Sequence, residues 1–258
     1  MSFAMRYFPA FLAALLLAPF PAVAEESRSG IYVGAKIGAS LLSVSDRRVL
    51  QDSYSLTDGV NDYSGAAQSW AMGDRTEPVF GGGVSLGYDF RPALRLPLRL
   101  ELDYVARDRA TADASHDVTY DMTWNGTPMT IPGRMSQRDS LFLQTLMANA
   151  WIDIPTGRSV TPYVGGGIGV AFLNHASTFS LDSQGEVESF SNARNATNFA
   201  WSVGAGISWA TTPHITFDLG YRYIDAGDST IGTGGSEPLH AHIHAASHDL
   251  MVGLRYGF

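Results

Sequence analysis

Four histidines crowd the last part of the 258-residue chain: His240, His242, His244 and His248. The H-x-H-x-H spacing puts three imidazoles on one side of an extended segment, a donor set suited to Cu²⁺, Zn²⁺ or haem iron. The competing reading is a polar loop whose histidines bind nothing. A second group is His175-Ala176-Ser177 with Glu186 or Glu188 downstream, whose wording resembles the His-x-Ser pair and later glutamate of one type of hydrolase. The third group is charged. Basic Lys36, Arg99, Arg107, Arg222 and Arg255 stand against acidic Asp89, Glu101, Asp103, Asp153, Asp218 and Asp249. The charged residues lie in or beside stretches that alternate in polarity. What they can do depends on which way each alternation faces.

Alternation every second residue is the strand period, because successive side chains point to opposite sides. It recurs over residues 30–42, 80–90, 98–106, 140–154, 160–172, 199–209, 215–224 and 247–258. In the third stretch, Leu98, Leu100, Leu102 and Tyr104 share one face, and Arg99, Glu101 and Asp103 the other. A soluble sandwich would bury the apolar face and solvate the charges. A small transmembrane barrel inverts this, with lipid outside and a polar interior. The stretches match the roughly 9–11 residues that a tilted strand needs to cross a bilayer.

The connections decide between these arrangements. Long polar segments (45–78, 110–138, 173–196 and 226–246) alternate with short turns. Long outer loops and short periplasmic turns are the outer-membrane pattern. The expected fold is therefore all-β, a transmembrane antiparallel up-and-down β-barrel of eight strands. Asn125-Gly126 marks a hairpin inside the second long segment. If that hairpin entered the membrane, the count would be ten. Gly165, Gly167 and Gly169 face inward and let neighbours fill a narrow interior. The run they belong to lacks the lysine of a phosphate loop.

Composition agrees. Apolar residues are 45% and charged residues 16%, the latter below the roughly 25% of an average soluble domain. The absence of cysteine excludes disulfides, thiolate metal sites and thiol nucleophiles. The formal charge is −8, and the four long segments carry 14 acidic against 6 basic residues, also −8. An acidic chain with no basic block is no nucleic-acid binder. Residues 1–24 read as a cleaved signal peptide, with Arg6, a short apolar run from Ala10 to Ala18 and an Ala22-Val23-Ala24 cleavage site. That leaves 25–258 as the barrel domain.

Three segments carry a family resemblance: T-P-Y-V-G-G-G-I-G at 161–169, L-G-Y-R-Y-I-D at 219–225 and H-D-L-M-V-G-L-R-Y-G-F at 248–258. Together they resemble the Gram-negative outer-membrane β-barrel family, the porin family with its OmpA-like eight-stranded members. The resemblance implies export to the bacterial outer membrane. It makes Leu250, Val252, Leu254, Tyr256 and Phe258 the signal read by the barrel assembly machinery. It also implies contact with outer-membrane lipids and lipopolysaccharide, and loops open to a host or surface ligand. No cofactor is expected.

Eight strands leave an interior just wide enough for side chains. The inward charges are therefore expected to pair and seal it, since guanidinium binds carboxylate bidentately. The expected role is structural and surface-interacting: envelope integrity and loop-mediated binding. The alternative is a small porin passing ions or small solutes. Less favoured are a surface haem or metal site at the histidines and a lipid A-modifying hydrolase. Against the hydrolase, parity turns His175 and Ser177 inward, away from lipid.

Overall fold

The computed structural model describes residues 30–156, 159–183, 185–232 and 239–258. The signal peptide expected at 1–24 lies outside them. In chain order the elements are β1 (Ile31–Gln51), β2 (Tyr54–Thr57), β3 (Asp62–Gly65), β4 (Gln68–Ala71), β5 (Arg75–Asp89), a single helical turn α1 (Arg91–Leu94), β6 (Leu98–Arg107), β7 (Ala110–Trp124), β8 (Thr127–Asp153), β9 (Val160–Ser183), β10 (Glu186–Ala210), β11 (Ile215–Gly232) and β12 (Leu239–Gly257).

Eight of these close a ring in the order β1-β5-β6-β8-β9-β10-β11-β12, every pair antiparallel. First and last strands meet over their whole length, from Tyr32↔Gly257 to Gln51↔Leu239. Closure leaves no sheet edge inside the bilayer, where an unpaired backbone group would find no water. The ten-stranded alternative fails. β6 and β7 pair in succession with the same strand, Leu98↔Ile152 to Ala106↔Gln144 and then Ala110↔Leu141 to Trp124↔Thr127. β7 is thus the upper continuation of β6, and its hairpin stands above the membrane.

A belt of exposed apolar side chains marks the bilayer. It includes Ile37, Phe80, Leu102, Ile152, Ile168, Phe199, Val203, Leu250 and Val252. On β9 and β10 the belt ends at Phe172 and Phe199. The strands do not end there. β8 has 27 residues, β9 24 and β10 25. The long segments read as loops from their polarity are therefore largely paired strand, which corrects that expectation.

The reason is an exchange of faces. Inside the bilayer the outward face must be apolar and the inward face can be polar. Above it the outward face meets water, and the inward face becomes an ordinary core. There Leu42, Val44, Leu141, Leu143, Leu173 and Ile243 are buried together. A second cluster, Val49, Met72, Met135, Phe179 and Leu239, lies further out. The alternation survives the membrane boundary with its polarity inverted. Over the first hairpin, β2 and β3 pair with each other, β3 rests on β7 through Tyr63↔Trp124, and β4 pairs with β1.

Candidate functional site

The interior is stacked in layers along the barrel axis. At the end near the short turns, Arg99 donates through Nε to both oxygens of Asp153, at 3.0 and 3.2 Å. Arg91, from α1, binds the same carboxylate. The Arg99 guanidinium lies 4.9 Å from the Tyr163 ring centre, and that ring packs edge-on against Trp151 at 5.3 Å. Beside them Arg255 makes a two-point contact with Asp218, at 2.6 and 2.9 Å.

The next layer up is shared among four charges. Lys36 Nζ donates to Glu101 at 2.9 Å and to Asp103 at 2.7 Å. Arg222 donates to the same Asp103 at 2.8 Å. Above it Arg107 grips Asp249 with Nε at 3.0 Å and Nη2 at 2.5 Å. Ser40 and Ser247 each donate to Asp249 at 2.7 Å. A cavity of about 70 Å³ remains among Lys36, Arg99, Glu101, Asp218, Arg222 and Arg255. Trp151, Tyr163, Met251 and Leu254 complete its lining, and beside the charged groups it has room for a few water molecules.

Ten of the eleven expected charged residues thus meet oppositely charged partners, six of them in pairs and four in the Lys36–Glu101–Asp103–Arg222 group. Asp89 does not join them. Its carboxylate accepts the Arg91 backbone N–H at 2.9 Å, shaping the β5–α1 turn.

Above the apolar layer lies a second buried polar group. Arg47 Nε donates to Asp139 at 2.9 Å. His175 Nε2 lies 3.1 Å from Asp139, and its Nδ1 lies 3.2 Å from Ser229 Oγ. Gln137 Nε2 also donates to Asp139 at 2.9 Å. Burial pushes the Asp139 carboxyl up. The hydrogen bond from His175 and the charge of Arg47 override this and hold it below the usual carboxylate range. Plain alternation would put Arg47 on the outer face. A bulge between Ser45 and Arg48, with Asp46 at φ 49°, shifts the parity and turns it inward. A bulge adds one residue to one strand, and nothing in the residue types announces it.

The histidine motifs resolve differently. His175 faces inward and is fully buried, as parity requires, with Asp139 and Ser229 as partners rather than Ser177. Glu186 and Glu188 pair with Ser183 and Leu181 near the far turn, and His175 sits opposite Arg194. The His-x-Ser-Glu grouping is therefore not assembled. A Ser229–His175–Asp139 succession does exist, but all three are sealed and Asp139 is shared with Arg47. His240, His242 and His244 do share one face of β12, but they do not converge. His240 meets Asp52 at 2.9 Å, His242 meets Thr230 at 2.9 Å, and His244 meets Asp228 at 2.8 Å. Among the described residues no cluster of three or more His, Cys, Asp or Glu is arranged to hold a metal. At the end of β12, Leu250, Val252 and Leu254 point to lipid, and Tyr256 packs edge-on against Phe258 at 5.2 Å.

A closed ring of eight strands, apolar outside and charge-paired inside, defines a transmembrane β-barrel of the bacterial outer membrane. Residues 10–258 match the outer membrane protein beta-barrel domain, and the chain belongs to that family. It is 32% identical over 237 residues to the outer membrane protein PagN of Salmonella typhimurium, covering 90% of this chain and 91% of PagN. A candidate adhesin of Rickettsia conorii is 27% identical over 117 residues, 43% of this chain and 47% of that one. Among solved structures, Neisserial surface protein A aligns with 90% of this chain and 100% of its own, at 20% identity and a TM-score of 0.41. Like its relatives, the protein resides in the outer membrane and contacts its lipids.

Proposed function

We propose that the protein is a non-enzymatic, non-conducting barrel that acts through its extracellular strands, binding a partner on a facing surface while bracing the envelope. One observation carries the reading. The strands continue far beyond the apolar belt as a paired sheet with its own buried core. Such a core fixes the outer surface rigidly, and a preorganised surface loses less freedom on binding. The tips carry exposed Val60, Trp124 and Val187 beside acidic Asp58, Asp62, Glu186 and Glu188. The similarity to a candidate adhesin supports the same reading. The porin alternative needs a continuous water path. The stacked ion pairs and the apolar layer above them speak against one.

The test is display of the full chain in a non-adherent Gram-negative strain, beside a variant whose β7–β8 hairpin above Ser136 is replaced by a short turn. We expect binding to epithelial monolayers with the full chain and its loss with the shortened one. Equal binding by both, or none by the full chain at matched surface expression, would overturn the reading.

A further inference from the structure

Just above the lipid belt, the β6–β7 junction contains a bulge. Residues 107–109 face only 142 and 143 of β8 between the pairs Ala106↔Gln144 and Ala110↔Leu141. Bulges re-aim side chains. This one buries Arg107 and leaves both Asp108 and Arg109 exposed. Arg109 reaches across β8 to β9, donating to Ser140 Oγ at 3.1 Å and to Asn174 Oδ1 at 3.2 Å. Asn174 in turn donates to Asn195 Oδ1 of β10 at 2.6 Å.

Arg109 differs from the arginines around it. Arg48, Arg134 and Arg138 pair with Asp46, Asp117 and Asp113. No ion pair to Arg109 occurs among the described residues, so its charge rests on neutral oxygens. A guanidinium offers five N–H donors, and the Asn195 amide nitrogen adds two more.

The height of this row fixes what it meets. Asn174 and Asn195 are register partners, Phe172 and Thr197 form the next outward pair toward the membrane, and Val170 and Phe199 the one after. Successive outward residues on a strand are about 6.7 Å apart. The Arg109–Asn174–Asn195 row therefore stands one step above the last exposed aromatic on β9. That is where hydrocarbon gives way to headgroups.

We propose that Arg109, with Asn174 and Asn195, is a binding site for the phosphate of an outer-leaflet glycolipid whose acyl chains lie along Phe172 and Phe199. The guanidinium supplies a charge-assisted, two-point hydrogen bond to phosphate oxygens. The amides complete the cradle, and the apolar belt orients the lipid. The site is independent of any partner bound at the tips.

The mature chain, refolded in detergent, is incubated with bis-phosphorylated lipid A and with the same lipid after phosphate removal. Retained lipid is read by native mass spectrometry. The phosphorylated form should be retained roughly tenfold better, the worth of one charge-assisted hydrogen bond. Arg109→Ala should erase that preference, and Arg109→Lys should keep part of it. Heat-modifiable gel mobility, read on the same samples, establishes that each variant is a folded barrel. Equal retention of both lipids by the natural chain would overturn the proposal. So would an undiminished preference in folded Arg109→Ala. Competition by millimolar inorganic phosphate as effective as that by lipid A would also overturn it, because the site would then hold a free anion.

Discussion

Arg107 and Asp249 meet at the centre of the barrel from strands 142 positions apart in sequence, with Nη2 2.5 Å from Oδ2 and both side chains buried. The contact links β6 to β12, strands separated by β5 and β1 in the ring. It is a strut across the lumen rather than along the wall.

Removing one end of that strut leaves a buried charge without its partner, which costs about 3–5 kcal/mol. Arg107→Ala and Asp249→Asn should each lower the urea midpoint of refolded protein strongly. Arg107→Met with Asp249→Leu should recover much of the loss, because two apolar groups leave no orphan charge. A double mutant no better than the worse single would show that the pair is not what holds these strands.

The apolar layer above it should behave as a soluble core does. Leu143 and Leu173 are fully buried among apolar neighbours. Truncating either to alanine should cost about 2–5 kcal/mol, seen as a lower denaturation midpoint with unchanged membrane insertion. By contrast Leu102→Ala, on the lipid face, leaves no internal cavity and should cost much less.

Acid should loosen the upper barrel. The Asp139 carboxyl is held below its ordinary value, so it stabilises the fold above the unfolded carboxylate pKa of about 4 and loses that contribution as pH falls through the folded value. Hydrogen exchange at β9 residues beside His175 should accelerate below about pH 4. In Asp139→Asn the protection should already be low at neutral pH and vary little with acid. An Asn variant that keeps the acid dependence would place its origin elsewhere.

One glycine marks how closely the wall is packed. A Cβ on Gly169 would come within 2.1 Å of the Leu146 carbonyl oxygen and 2.8 Å of Met147 Cα. Gly169→Val should therefore force β8 and β9 apart and reduce the folded fraction on refolding, measured by heat-modifiable mobility.

Much of this was legible in the sequence within the bilayer, where the strand period and the polarity of each face point the same way. Leu98 to Ala106 shows both at once. Above the membrane the two signals part. Leu173, His175, Ser177 and Phe179 remain on the inner face, but Asn174, Thr178 and Ser180 on the outer face are polar, so the segment reads as loop. The residues missed most completely, Arg47 and Asp139, depend on a bulge and on non-local register, and neither leaves a mark in local composition. The histidines near the end of the chain show the converse. Their shared face was legible, but each partner comes from a neighbouring strand, and spacing along one strand cannot show that.

If the proposed function is right, side chains close this barrel from wall to wall and leave binding to the outer surface. Single-channel recording of the mature chain in a planar bilayer reads that closure. Protein shown to be folded and inserted should give no discrete steps. Reproducible unitary currents, altered by Lys36→Ala or Arg222→Ala, would mean that the charged layers line a water path and that the barrel is open.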